Sequence, residues 1–162
     1  MVEKDVFLTL AGLRKLEADL AHLKTVRRKE AATVLRDALT TGGTWGNPDY
    51  ELSKMELAFI ESRIQVLENL LKNAQVIDGR EMNTDQVRVG HQVRLYDIKT
   101  GEEVEFMIVG SIEADPAASR ISHRSPVAQA ILGRKVGDIV KVDVPVGQLV
   151  YRIMTITTIS VG

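Results

Sequence analysis

Thr40-Thr41-Gly42-Gly43-Thr44-Trp45-Gly46-Asn47, followed by Pro48-Asp49-Tyr50-Glu51, is the stretch that decides how this chain folds. Its glycines and threonines interrupt a helical pattern on both sides and mark a turn. Upstream, Leu13, Leu16, Leu20 and Leu23 step by three and four, as one face of a helix requires. Ala31, Val34, Leu35 and Ala38 continue the stripe beyond the polar run Arg27-Arg28-Lys29-Glu30, and Thr9 suits the N-cap. Downstream, a second stripe runs through Leu52, Met55, Phe59, Ile60, Ile64, Leu67, Leu70 and Leu71. Asn47 can cap that helix, Pro48 fits its first position, and Asp49 and Glu51 complement its positive end. Two helices joined by so short a break predict an antiparallel coiled-coil hairpin with facing stripes. At ~1.5 Å per residue, arms of roughly 25–30 residues are about 40 Å long.

The period changes near Val76–Gly79. Val87-Arg88-Val89, Gln92–Tyr96 and Val104–Val109 are rich in β-branched residues and partly alternate, predicting strands. Lys99-Thr100-Gly101-Glu102 is a candidate hairpin turn, and Ile139–Val144 and Leu149–Ile159 are two further strands around Val146-Gly147-Gln148. A short helix is predicted between them, capped by Ser125, opened by Pro126 and closed by Gly133. The expected fold class is α+β. Residues 1–76 form the hairpin, with its tip at 40–50, and residues 80–162 form a small, mainly antiparallel β-sheet domain with one short helix.

Composition narrows the function classes. With 21 basic and 22 acidic residues the net charge is -1, which argues against autonomous binding to duplex DNA. There is no cysteine, so disulfides and thiolate metal sites are excluded. His22, His91 and His123 are scattered and lack metal-ligand spacing, and no nucleophile, phosphate-loop or zinc motif occurs. Met1–Asp5 lacks the features of a signal peptide, and no apolar run is long enough to span a bilayer, so the expectation is a soluble, cytoplasmic protein without membrane contact.

Several strings, in order, resemble the Gre family of bacterial transcription elongation factors: Leu8-Thr9 with Gly12 and Leu13, Leu23-Lys24-Thr25-Val26-Arg27-Arg28, Ala58–Ile64, Asn73–Asp78, Ile108-Val109-Gly110, Glu113-Ala114-Asp115, Ile121-Ser122, Ser125-Pro126-Val127, Ala130–Gly133 and Val136-Gly137-Asp138. The resemblance implies a globular domain similar to the FK506-binding fold, docked on bacterial RNA polymerase at the rim of its secondary channel. It implies a hairpin reaching toward the polymerase active site, and RNA and DNA of the elongation complex as indirect partners. Such a factor works as a monomer and is not itself an enzyme. It holds no cofactor or metal of its own, and acts near the polymerase Mg2+. Asp115, Ser122, Ser125 and Pro126 are the docking candidates, although Ser125 and Pro126 equally read as a helix start. Arg27, Arg28, Arg36 and Lys54 form a candidate basic patch, with ion pairs to Glu30 and Glu61 as the competing reading.

The tip departs from the family pattern. The family's acidic loop matches Gly43, Thr44, Trp45, Gly46, Asn47, Asp49 and Tyr50 in register, and its two catalytic acids fall on Gly43 and Gly46. Glycine has no side chain to ligate a metal. The expectation is a channel-binding regulator, deficient in stimulating transcript cleavage, that modulates the polymerase or competes with active factors. Restoring the acids by Gly43→Asp and Gly46→Glu should raise cleavage. Two alternatives stand beside it: a conventional cleavage factor completed by Asp49 or a polymerase acid, and a coiled-coil adaptor with a peptide-binding domain. Trp45, the single tryptophan, either folds back on the hairpin or contacts a partner.

Overall fold

The computed structural model describes residues 6–43, 45–78 and 83–158. They form two compact units. One runs from Leu13 to Asn73; the other joins the described residues up to Gly12 with those from Ala74 onward. Among the described residues no helix is long and apolar enough to cross a membrane.

The helical unit is an antiparallel hairpin. Its first arm comprises α1 (Leu10–His22), a π-helical stretch (Leu23–Arg27) and α2 (Arg28–Gly42); its second arm is α3 (Pro48–Asn73). The π stretch explains the skip in the first stripe. Leu20 and Leu23 are followed by Ala31 rather than by a residue seven positions on, so the pattern carries one extra residue. The wider turn, with the Arg28 N–H donating to the Leu23 carbonyl, absorbs that residue. Leu20 before it, Leu23 at its start and Ala31 after it thereby meet the same cluster of Leu57, Ile60 and Ile64.

The second stripe is corrected. The buried positions of α3 are Ser53, Ile60, Ile64 and Leu67, with Leu57 half-buried. Leu52, Met55 and Phe59 are 65%, 68% and 71% exposed. A two-helix hairpin offers each arm one partner, so only a narrow seam can be buried, and the flank one step around the helix stays in solvent. Ion pairs staple the arms across that seam: Lys24–Glu68 at 2.5 Å, Arg27–Glu56 at 3.1 Å and Arg28–Glu61 at 2.7 Å. They are half in water and each contributes about 0–1 kcal/mol, fixing register more than stability.

In the other unit, β1 (Phe7–Thr9) pairs in parallel with β2 (Gln75–Ile77). The main sheet contains β3 (His91–Asp97), β4 (Glu103–Val109), β5 (Arg120–Ser122), β6 (Ile139–Val144) and β7 (Gly147–Thr158), in the order β5-β4-β3-β7-β6. Its neighbours are antiparallel except β4 and β5. The β3–β4 turn follows its sequence: the Asp97 carboxylate accepts from the Lys99 and Thr100 amides, and Gly101 takes a positive φ. Helix α4 (Pro126–Ile131) contributes Ala128 and Ile131 to a core with Val93, Leu95, Ile108, Val140, Val142 and Ile153.

Two expectations about this unit change. Phe7–Thr9 and Gln75–Ile77 belong with the sheet unit, not with the hairpin. Val87–Val89 is not a strand, although Val87 is buried. Its backbone exchanges hydrogen bonds with Gly133 and Arg134, and Gly90, at φ 101°, turns the chain before β3 begins.

His91 is fully buried, its Nδ1 accepting from the Arg88 amide at 2.9 Å. Burial lowers its pKa below the usual histidine value of 6.5; the Arg88 charge adds to this and a hydrogen bond with the Asn83 backbone opposes it. The folded state therefore holds a neutral ring that the unfolded chain protonates more readily. Stability from this group is complete above pH 6.5 and is lost as pH falls toward the lowered folded pKa. Thermal melts of wild type and His91→Gln at pH 7.5 and pH 5 check this. The wild type should lose more between the two pH values, and equal losses would rule out the histidine as the cause.

Candidate functional site: the hairpin tip and the docking segment

The tip is closed by one side chain. Asn47 Oδ1 accepts from the backbone amides of Asp49 at 3.1 Å and Tyr50 at 3.4 Å, capping α3. Its Nδ2 donates to the carbonyls of Ala38 at 3.0 Å, in the last turns of α2, and Gly43 at 2.9 Å, just beyond its end. Asn47 thus ties the end of one arm to the start of the other. Gly42 makes room for it, since a Cβ there would lie 2.8 Å from Nδ2.

Gly43 and Gly46 both have positive φ, 68° and 64°. Gly43 pairs this with ψ -163°, a region that other residues essentially avoid. The turn is thus built on glycine conformations. Between them Trp45 is 97% exposed, so it does not fold back on the hairpin. Thr44 lies outside the described residues. Asp49 is exposed in the first turn of α3, and Tyr50 is half-buried.

The candidate basic patch divides. Arg27 and Arg28 are engaged by Glu30, Glu56 and Glu61. Arg36 forms no ion pair among the described residues, and Lys54 places Nζ 6.0 Å from the Tyr50 ring centroid. Only Arg36 and Lys54 therefore retain charge uncommitted to a carboxylate.

The docking candidates lie along one stretch of the sheet unit, each with a local backbone task. Asp115 accepts from the Ala117 amide, opening a 3-10 turn (Pro116–Ala118), and its backbone bridges to Arg120. Ser122 Oγ accepts from the Arg124 amide and shares a hydrogen bond with Ser111 Oγ at 3.0 Å. Ser125 caps α4 through the Ala128 amide, with Pro126 in the first turn. Asp115 and Pro126 are exposed; Ser122 and Ser125 are half-buried.

Sequence reasoning missed the residues that seat the N-terminal strand. The Glu113 carboxylate accepts from Thr9 Oγ1 at 2.6 Å and the Thr9 amide at 2.8 Å. Thr9 Oγ1 in turn accepts from the Gly12 amide at 3.1 Å. A helix commonly supplies such a carboxylate from its own third position. Here that position is Gly12, whose missing side chain admits Glu113, because a Cβ would collide with the carboxylate. His123 is buried edge-on to Phe7, ring centroids 5.0 Å apart, which gives it a packing role.

Comparison with known proteins gives the family. The family description "Transcription elongation factor, N-terminal" (GreA/GreB) matches residues 6–76, and "Transcription elongation factor, GreA/GreB, C-term" matches residues 82–158. The transcription elongation factor GreA of Acetivibrio thermocellus is 49% identical over 153 residues, covering 94% of this chain and 96% of that protein. The GreA of Thermoanaerobacter pseudethanolicus is 48% identical, covering 96% and 99%. Among solved structures, the GreA factor homolog 1 (Gfh1) of Thermus thermophilus is 31% identical, covers 94% of this chain and 98% of its own, and has a TM-score of 0.42. The chain belongs to the GreA/GreB family of transcription elongation factors.

Proposed function

We propose that this chain binds bacterial RNA polymerase at the secondary channel and sends its hairpin tip toward the active site without efficiently stimulating transcript cleavage. The sheet unit docks through the segment Asp115–Pro126. One observation carries the reading: the two positions matching the family's catalytic acids are glycines in positive-φ conformations. The apex offers no carboxylate for a metal or an attacking water, so it occupies the channel without completing the cleavage site. The factor is not an enzyme in its own right. It modulates the polymerase or competes with acid-bearing factors for the same entrance.

A stalled, backtracked elongation complex tests this. The chain should bind it and should inhibit cleavage by an acid-bearing GreA, while adding little to the 3′-cleavage rate of polymerase alone. Cleavage well above that background overturns the reading. Gly43→Asp with Gly46→Glu should raise cleavage, and should also destabilise the hairpin by about 1–3 kcal/mol per position, because side chains enter glycine-favoured backbone. No gain in cleavage would mean that the turn cannot present the acids from this backbone.

The high identity to proteins named GreA favours a second reading, a conventional cleavage factor that uses Asp49. Asp49→Ala then abolishes cleavage, whereas under the first reading it changes little. Failure to capture core polymerase would instead favour the adaptor.

A further inference from the structure

We propose that Trp45 is a stacking platform for an unpaired nucleobase, the extruded 3′ base of backtracked RNA. This rests on the reading above and names what the tip meets. The indole is almost wholly in solvent, with both ring faces open. The glycines that flank it leave open space: a Cβ at Gly43 or Gly46 would meet nothing within 4 Å. Asn47 holds both helix ends beneath it, so the apex is braced while the ring stays bare.

The surroundings favour a flat partner over a protein pocket. Aromatic residues that anchor protein interfaces sit within a patch of packed neighbours that exclude water. Trp45, 97% exposed, has none: its described neighbours in sequence are glycines and Asn47, and the exposed apolar residues next along the chain are Leu39 on α2 and Leu52 on α3. A base needs only the indole face, and stacking of this kind tolerates any base. The glycines at 43 and 46 also remove the carboxylates that would repel a phosphate at the apex. The net charge of -1 provides little general attraction, so stacking matters once polymerase has placed the RNA end nearby.

The test uses the full chain and a reconstituted elongation complex backtracked so that the RNA 3′ end is extruded. The terminal nucleotide carries 2-aminopurine, whose emission stacking quenches, or an abasic ribose. Anisotropy of chain labelled at its amino terminus reports binding separately. Wild type should quench the emission several-fold; Trp45→Phe should keep part of the effect and Trp45→Ala should lose it. Trp45→Ala should bind the base-ended complex about ten-fold more weakly, within the range of one lost base stack, and the abasic complex as wild type does. Unchanged quenching by Trp45→Ala overturns the proposal. So does an equal loss of affinity on both RNA ends, which would place the indole in a protein pocket. If wild type gives no anisotropy change, polymerase binding itself has failed, and both readings fall. Because Trp45 is exposed, circular dichroism of Trp45→Ala should match wild type.

Discussion

Replacing Gly110 by alanine is expected to unseat the N-terminal strand and lower the melting temperature of the sheet unit by roughly 5–15 °C. A Cβ at this position would collide with the backbone carbonyl of Phe7. A backbone atom cannot swing aside as a flexible side chain can, so either Gly110 or the strand must move. Overpacking of this kind costs about 1–3 kcal/mol. The strand carries several dependent contacts: the pairing of Phe7–Thr9 with Gln75–Ile77, the edge contact of Phe7 with His123, and the grip of Glu113 on Thr9. Hydrogen exchange should show lost protection at Leu8 and Thr9 and in β2, with the central strands less affected. Full protection at those amides with an unchanged melt would show that the strand tolerates the shift.

Asn47→Ala is expected to have the largest effect within the hairpin. It removes the acceptor that caps α3 and the donor that holds the Ala38 and Gly43 carbonyls. Cap loss alone is worth about 0.5–2 kcal/mol, and the two donated bonds roughly 0.5–1.5 kcal/mol each before water replaces them. Asn47→Asp separates the two roles. It keeps an acceptor for the Asp49 and Tyr50 amides and loses the donor. The helical melt should therefore order wild type, then Asn47→Asp, then Asn47→Ala. If Asn47→Asp melts like wild type, the bonds across the turn contribute nothing.

Much of this was legible because it follows local rules. Asn47-Pro48 and Ser125-Pro126 announce helix starts within a few residues, and Lys99-Thr100-Gly101 announces a turn. The change from helical to strand-like period near Val76–Gly79 carried the α+β architecture. What escaped depends on distant partners. The seam took Ser53 rather than Leu52, a choice that only the facing arm makes. The π stretch showed in the sequence as a skipped step from Leu23 to Ala31, but its shape follows from the need to rejoin the same cluster. Glu113 binds the N-cap residue Thr9, 104 residues earlier, beyond any motif window. At the tip, the sequence reading set Gly43 and Gly46 against the family's acids, while the backbone angles that favour glycine there were visible only in the structure.

The parallel pairing of Phe7–Thr9 with Gln75–Ile77 has a consequence for how the molecule is assembled and varied. The hairpin is an insert, threaded between two adjacent strands of another fold unit, and serves as their crossover connection. During synthesis the first strand must wait for the entire hairpin before its neighbour exists. Closing so long a loop is entropically slow unless the hairpin folds first and brings the ends together. The same arrangement makes the hairpin a replaceable cassette: arms of another length, or another tip, can be exchanged between Gly12 and Ala74 without rewriting the strand pairing on either side.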